Sequence, residues 1–311
     1  MIRYKATKFL CNLLPPAIAQ RVRNNLFSIE LARVDNSLFK KKSITGSWFN
    51  GELGDYHSYR FAFHGYFDWR NVVITAVLSK DKLGDIIEIG ANVGTETICY
   101  SDLAGTYGTV HAFEPLPKNI KMLKALQPNI DNIKIYQNAV SNISDLLKFE
   151  IPPEEASGTG KIITGAIEDT PAETMAVEAF PLDRFIDEFK SLCLISIDTE
   201  GHEPFVLEGS SESIRKHKPA IILEVNPKLL KKYAKSTPVE IYDFLKQLDY
   251  SCYCIEFSSV SKVNEEILKT SKPYNWLCLP NSKLNLIKTI NRNLGLRAYV
   301  PWYLLAPLRS T

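Results

Sequence analysis

The chain has 311 residues, 37 Lys/Arg against 35 Asp/Glu for a formal net charge of +2, 45% hydrophobic and 23% charged residues. This is globular composition, which excludes disordered, collagen-like and low-complexity classes; the length suits two ordinary domains or one large α/β domain with additions. Six cysteines (Cys11, Cys99, Cys193, Cys252, Cys254, Cys278) are too few and too scattered for a disulfide scaffold, which favours a reducing, cytoplasmic setting, and no apolar run reaches the roughly 20 residues that span a bilayer.

The charge is unevenly spread. Residues 1–42 hold nine Lys/Arg and two Asp/Glu, and residues 282–311 hold five basic and no acidic residues, so basic ends flank an acidic middle. Such ends suit peripheral contact with anionic lipid or a polyanionic substrate, or folding back onto the acidic body. Arg3, Lys5 and Lys8 precede an apolar stretch that ends in Ala17-Ile18-Ala19, the parts of a secretion signal. Asn12 and Pro15-Pro16 interrupt it, so it reads as a docked first segment.

Behind Pro15-Pro16, Ile18, Val22, Leu26 and Ile29 recur at helical spacing and predict an amphipathic helix. Residues 46–70 are rich in aromatics with no sustained period and read as loops and short strands that shape a pocket; His57 and His64 within them read as packing or surface residues. From Asp85 onward, apolar runs of strand length at Asp85–Ile89, Thr109–Glu114, Ile133–Asn138, Leu192–Asp198, Ala220–Asn226, Tyr250–Phe257 and Trp276–Leu279 alternate with helical segments through residue 248. The predicted fold is α/β, a doubly wound, mostly parallel seven-stranded sheet whose last two strands form an antiparallel edge pair. Helices are expected over Lys118–Leu126, Pro204–His217 and Pro238–Leu248, with Asp183 capping another at Arg184–Lys190.

The insertion at about 145–185 carries Ser157-Gly158-Thr159-Gly160-Lys161-Ile162-Ile163-Thr164-Gly165. Its spacing does not match a phosphate loop, and it reads as a flexible lid. Cys252 and Cys254 share a strand face without a second ligand pair, so they read as packing rather than zinc ligands. Three segments result: a helical and aromatic cover at 1–70, a central domain at 71–281 and a basic amphipathic tail at 282–311. In the tail, Leu284, Ile287, Ile290 and Leu294, then Trp302-Tyr303-Leu304-Leu305 beside Arg297 and Arg309, have the mix of an interfacial anchor or of a surface that packs on the domain or on a partner subunit in a homo-oligomer.

The first strand of the sheet runs into Glu88-Ile89-Gly90-Ala91-Asn92-Val93-Gly94 and a helix starting near Thr95. Gly90 permits a tight turn and Gly94 a close backbone approach, so the helix start can present N–H groups to a polar ligand. Asn92 stands where a dinucleotide fold needs its middle glycine, which argues against NAD. Glu114, 20 residues past Gly94 at the end of the second strand, is placed to accept both hydroxyls of a ribose. A ribose-bearing ligand without a pyrophosphate points to S-adenosylmethionine.

The set E-I-G-A-N-V-G (88–94), A-F-E-P (112–115), N-A-V-S (138–141), P-L-D (181–183), S-I-D-T-E-G-H-E (196–203) and I-L-E-V (222–225) resembles the FkbM family of S-adenosylmethionine-dependent methyltransferases in order and spacing. The resemblance implies a class I methyltransferase fold and methylation of hydroxyl oxygens on sugars, polyketides or other natural products, with a small-molecule or glycan acceptor. It places Gly90, Asn92 and Gly94 against the methionine part, Glu114 on the ribose, Asn138 and Ala139 beside the adenine, and Asp198 toward the transferable methyl. The chain departs from the family at Glu88, where Asp is usual, and at Ser196, where Lys is usual; Glu88 can still bond the turn or, through water, the amino group.

Asp198, Glu200 and His202 are the candidate catalytic residues, three polar groups at the carboxyl end of a strand, where open α/β sheets bind ligands. His202 suits a general base by its ordinary pKa. Asp198, Glu200, His202 and Glu224 could also collect a divalent cation, although no metal is assigned. The Asn/Asp-Pro-Pro-aromatic turn of amino methylation is missing, and the acidic middle disfavours a nucleic-acid partner. The rival readings are a nicotinamide oxidoreductase and a non-catalytic scaffold on the same sheet.

Overall fold

The computed structural model describes residues 2–80, 84–127, 130–164 and 173–308. Gly165 of the expected lid and Arg309 of the tail lie outside the described residues. The chain opens with α1 (Ile2–Leu13), α2 (Pro16–Leu26) and α3 (Ile29–Asp35), followed by an antiparallel hairpin of β1 (Leu38–Lys42) and β2 (Trp48–Glu52), then α4 (Tyr56–His64) and α5 (Trp69–Leu78). The single helix expected across 18–29 therefore breaks at Phe27-Ser28. The stretch 46–70, expected as loops and short strands, holds the short strand β2 but also α4 and the start of α5: Asp55 and Asp68 each accept a backbone N–H at the start of α4 and α5. Those caps were the overlooked signal.

The central sheet is built from β3 (Asp85–Ile89), α6 (Thr97–Ala104), β4 (Val110–Phe113), α7 (Pro117–Lys124) and β5 (Ile133–Tyr136). The insertion follows as β6 (Ala139–Val140), β7 (Asp145–Glu150), β8 (Lys161–Ile162) and β9 (Thr174–Phe180). The chain then returns through β10 (Leu192–Ile197), α8 (Glu203–Glu208), α9 (Ser211–His217), β11 (Ala220–Val225), α10 (Pro227–Leu229), α11 (Pro238–Gln247), β12 (Tyr250–Ile255), β13 (Val260–Lys262), α12 (Glu265–Lys269), β14 (Tyr274–Pro280) and α13 (Ile287–Tyr299). The strand order is β13-β12-β14-β11-β10-β3-β4-β5. From β11 to β5 every pairing is parallel, and β14, β12 and β13 add antiparallel strands at one edge. This is the doubly wound class I methyltransferase fold; the seven expected strands are present, with β13 as an eighth, short edge strand.

Alternation along the strands sorts the core into two faces. Ile86, Ala112, Leu194 and Ile222 point to one side, and Ile87, Ile89, Ile195, Ile197 and Leu223 to the other. Both faces are covered, so β3 and β10 are buried at every residue, as a parallel sheet between helix layers must be. On the first face the apolar cluster runs without interruption from Cys11, Ala19 and Phe27 through α5 to Ile290, Leu294 and Ala298 of α13. The first 70 residues and the tail thus share one core with the sheet.

Two expected helices change form. Pro204–His217 divides at Gly209 into α8 and α9, because a Cβ at Gly209 would lie 1.9 Å from the Ser141 carbonyl oxygen and the chain must pass there without a side chain. Residues Leu182–Phe185 form a 3-10 turn in place of a helix at 184–190, and Asp183 instead accepts the Glu212 and Ser213 backbone N–H groups at the start of α9. The insertion, expected as a flexible loop, is a small sheet of order β6-β9-β7-β8 with its own apolar cluster around Phe149, Ile162 and Val177. All six cysteines are buried and unpaired.

A polar staple ties the cover to the sheet domain. Buried Asp102 of α6 accepts hydrogen bonds from Ser43 Oγ (3.1 Å), Thr45 Oγ1 (2.7 Å), Ser47 N (2.8 Å) and Ser47 Oγ (2.6 Å). Replacing Asp102 by Ala leaves those donors without their acceptor and is expected to cost about 2–4 kcal/mol, read as a lower midpoint in urea unfolding. An unchanged midpoint would show that the staple carries no stability.

Candidate functional site

The site grows from one close approach. Gly90 follows β3 with φ +88°, and a Cβ there would lie 1.9 Å from the carbonyl oxygen of Asp198 at the end of β10. Only glycine lets the two strand ends lie together and form a common floor. Asn92 also takes a left-handed conformation, φ +48°, which asparagine tolerates better than most side chains. Gly94, at φ +87°, does other work: a Cβ there would strike the side chains of Leu123 and Leu126, so this glycine seats the turn against α7 and does not line the cavity.

The Asn92 turn and Glu114 are locked together. Glu114 Oε2 accepts the Asn92 N–H at 2.9 Å and Oε1 accepts the Leu116 N–H at 2.8 Å. Burial pushes the Glu114 carboxyl up to about 7, and the two backbone donors hold it from going further. Asn92 Oδ1 accepts from Asn119 Nδ2 at 3.0 Å, while Asn92 Nδ2 is buried without a partner.

Above this floor lies a small cavity of about 50 Å³. Gly90, Asn92, Glu114, Asn138, Ala139 and Asp198 all line it. The insertion closes it from above with Phe149, Ser157, Gly158, Gly160 and Ile162, residues that the sequence pointed to only as a lid. Ser157 Oγ donates to Asp55 Oδ2 at 2.5 Å, and Gly158 packs so tightly that a Cβ would sit 2.5 Å from His57 Nε2 and 2.9 Å from Asn92 Nδ2. His57 stacks on Phe67 at 3.8 Å between ring centroids and thus walls the same region.

Two predicted residues stand elsewhere. Glu88 is buried beneath the floor, where Oε2 accepts the Thr97 hydroxyl at 2.6 Å, and it does not line the cavity. Burial drives its carboxyl well above the usual range. His202, the expected base, is also buried away from the cavity: it sits at the N-terminus of α8, its Nε2 pairs with Ser141 Oγ at 2.9 Å, and burial lowers it to about 4. The imidazole ties the start of α8 to Ser141 just after β6.

The carboxylates converge. Asp198 stands at the end of β10 and lines the cavity, enclosed by protein on its inner side, and Glu200 follows at φ +54°. Asp198, Glu200 and Glu224 each offer a carboxylate oxygen within 4.8 Å of the others, a spacing at which a divalent cation can be held. His202 is no part of that group. Burial and then the charge of Glu203 raise Glu200 to about 7, burial and then Glu200 and Glu203 raise Glu224 to about 8, and Asp198 rises by burial followed by the fields of Glu224 and Glu200. Glu203, the last residue of the D-x-E-G-x-E element, organises the loop: its Oε1 accepts the N–H groups of Thr199 (3.0 Å) and Gly201 (3.2 Å) and the Thr199 hydroxyl (2.9 Å). Glu96, which sequence reasoning missed, is raised to about 8 by burial and then by Asp68, and its charge is felt at Asp198.

These shifts fix a pH dependence. Glu114, Glu200, Glu96 and Glu224 bind protons more tightly folded than unfolded, rising from an ordinary 4.5 to about 7 or 8, so their contribution to stability is present at low pH and lost as pH rises through 7 to 8. The lowered histidines His57, His111 and His202 act in the opposite sense, but only as pH falls below 6.5 toward 4. The ligand-free melting temperature is therefore expected to fall between pH 6.5 and pH 8, and Glu96→Gln to flatten that fall. A flat or rising profile would contradict the crowding of acids.

A family model described as the methyltransferase FkbM domain matches residues 88–252, just over half of the chain. No curated protein sequence matches. Among solved structures, the chain is similar to the methyltransferase FkbM of Methylobacillus flagellatus KT, at 11% identity and a TM-score of 0.40 over 89% of this chain and 58% of that one. It is also similar to fibrillarin of Aeropyrum pernix in complex with natively bound S-adenosyl-L-methionine, at 11% identity and a TM-score of 0.37 over 68% of this chain and 76% of that one. SMU.1697c of Streptococcus mutans, in complex with SAH, matches at 13% identity and a TM-score of 0.36 over 66% of this chain and 94% of that one. By its motifs and by the matched domain, the chain belongs to the FkbM methyltransferase family.

Proposed function

We propose that this protein is an S-adenosylmethionine-dependent methyltransferase acting on a hydroxyl oxygen of a small-molecule or glycan acceptor. The observation that carries the reading is the Glu114 carboxylate bound to the Asn92 turn on the wall of the cavity, with the Asp198, Glu200 and Glu224 carboxylates converging at the end of β10 beside it. The residues present fit the cofactor: Asn92 Nδ2 is a buried donor in need of an acceptor, and Glu114 retains lone pairs for ribose hydroxyls. The Asn92 side chain fills the place where a pyrophosphate needs glycine, which supports this cofactor over a nicotinamide dinucleotide.

Gly90 and Asn92 would hold the methionine part, Glu114 the ribose, and Asn138 and Ala139 the adenine. When bound, the cofactor supplies a methyl group on an electrophilic sulfonium. The protein positions the acceptor oxygen in line with that carbon, an effect worth up to roughly 7–11 kcal/mol when geometry is ideal. Asp198 would stand toward the methyl, where a cationic ligand would favour the ionised form of its carboxyl. With Glu200 and Glu224 titrating near neutrality, the cluster can take the proton that the acceptor hydroxyl releases. The lid residues Phe149 and Ile162 exclude water from the cavity.

Two measurements test the proposal. Calorimetric titration should give binding of S-adenosylmethionine and none of NAD, and Glu114→Ala should weaken that binding by about 1.5–3 kcal/mol, the scale of hydrogen bonds to a charged group; unchanged affinity would remove the ribose role. Asp198→Asn should suppress methyl transfer to a hydroxyl acceptor at least about tenfold with little change in melting temperature, as loss of a proton acceptor does. Turnover that collapses in EDTA and returns with magnesium would assign the three carboxylates to a cation instead of a proton.

A further inference from the structure

Helix α1 is apolar on its outer side. It buries Thr7 and Cys11, and at 3.6 residues per turn the opposite face carries Ile2, Phe9 and Leu13, which are 86%, 64% and 41% exposed. A helix that only docked would carry polar residues there. The feature extends to its neighbours. Of the twenty exposed large apolar side chains among the described residues, thirteen fall within 2–38 and 296–304, among them Ile18, Val34, Leu296, Tyr299, Tyr303 and Leu304. A single exposed apolar residue needs no explanation, whereas this concentration on two segments that touch does.

The two segments do touch: α1 packs on α2 and on the turn Trp302–Leu304, and α13 packs on α2. The structure thus brings the two basic ends of the sequence to one side of the molecule. Arg3, Lys5, Arg21, Arg33, Lys288 and Arg292 are exposed on these elements, and residues 1–42 and 282–311 together hold fourteen basic residues against Glu30 and Asp35.

We propose that this face binds the surface of an anionic lipid bilayer, with the outer side of α1 inserted among the headgroups and the surrounding cations on lipid phosphates. Charge decides the occupant. A second copy of the chain meeting the same patch around a two-fold axis would set one basic face against another. An anionic bilayer offers both the opposite charge and an apolar layer a few ångströms below it. At 12 residues, or about 18 Å, α1 is too short to cross the roughly 30 Å hydrocarbon core, so it lies in the interface. Tyr299, Tyr303 and Trp302 beside it are the aromatic types that settle at headgroup level.

Flotation of the full chain tests this, with phosphatidylcholine vesicles against vesicles in which a third of the lipid is phosphatidylglycerol. The chain is expected to float with the anionic vesicles only, and to be released by high salt. Phe9→Ser with Leu13→Ser, and separately Lys5→Glu with Arg21→Glu, should each reduce the bound fraction at least about tenfold. All four residues are solvent-exposed, and unchanged circular dichroism and melting temperature will show that the variants fold. Absence of flotation with anionic vesicles overturns the proposal, as does flotation that survives both pairs of substitutions. So does a dimer in sedimentation that Phe9→Ser with Leu13→Ser dissolves while no vesicle binding is seen, because the face then belongs to a second copy.

Discussion

Every feature of the site depends on the contact between the Gly90 backbone and the Asp198 carbonyl oxygen. Two neighbouring parallel strands end level with each other there, and the chain leaves one toward Asn92 and the other toward Glu200. Because both exits turn through left-handed backbone, at Asn92 and at Glu200, each loop leaves its strand sharply. Glu114 and Asp198, at the ends of β4 and β10, therefore line one cavity. A wider floor would separate them by the thickness of a side chain.

The second organising constraint is the crowding of acid. Asp198, Glu200, Glu224, Glu203 and Glu96 act on one another through space, with Lys161 as the basic group felt at Glu200. Like charges held this close resist simultaneous ionisation, so the cluster carries protons into the neutral range. The fold accepts that arrangement because Glu203 satisfies three donors of the loop and fixes it in place.

The parallel sheet was legible because strands buried on both faces read as unbroken apolar runs with helical periods between them. The cavity wall was legible because Gly90, Asn92 and Glu114 are local in sequence and their spacing has a geometric meaning. Less could be read where the cause is distant. His202 has the chemistry of a base, yet Ser141, 61 residues away, claims its ring nitrogen. Asp183 looked like a cap for its own helix and caps α9 instead. The helices of 46–70 escaped notice because a segment as apolar as α5, buried at every residue from Trp69 to Leu78 except Arg70, shows no amphipathic period.

The shared core of the two chain ends has a consequence for how the protein is made. Ile290, Leu294 and Ala298 pack in the same cluster as Ala19 and Phe27, contacts separated by some 260 residues or more of chain. During synthesis the helices of residues 2–35 leave the ribosome well before α13 and must wait, with that side uncovered, until residues 287–299 have followed. Completion of this layer is thus a post-translational event, and a nascent chain stalled short of α13 would be a natural client for a chaperone.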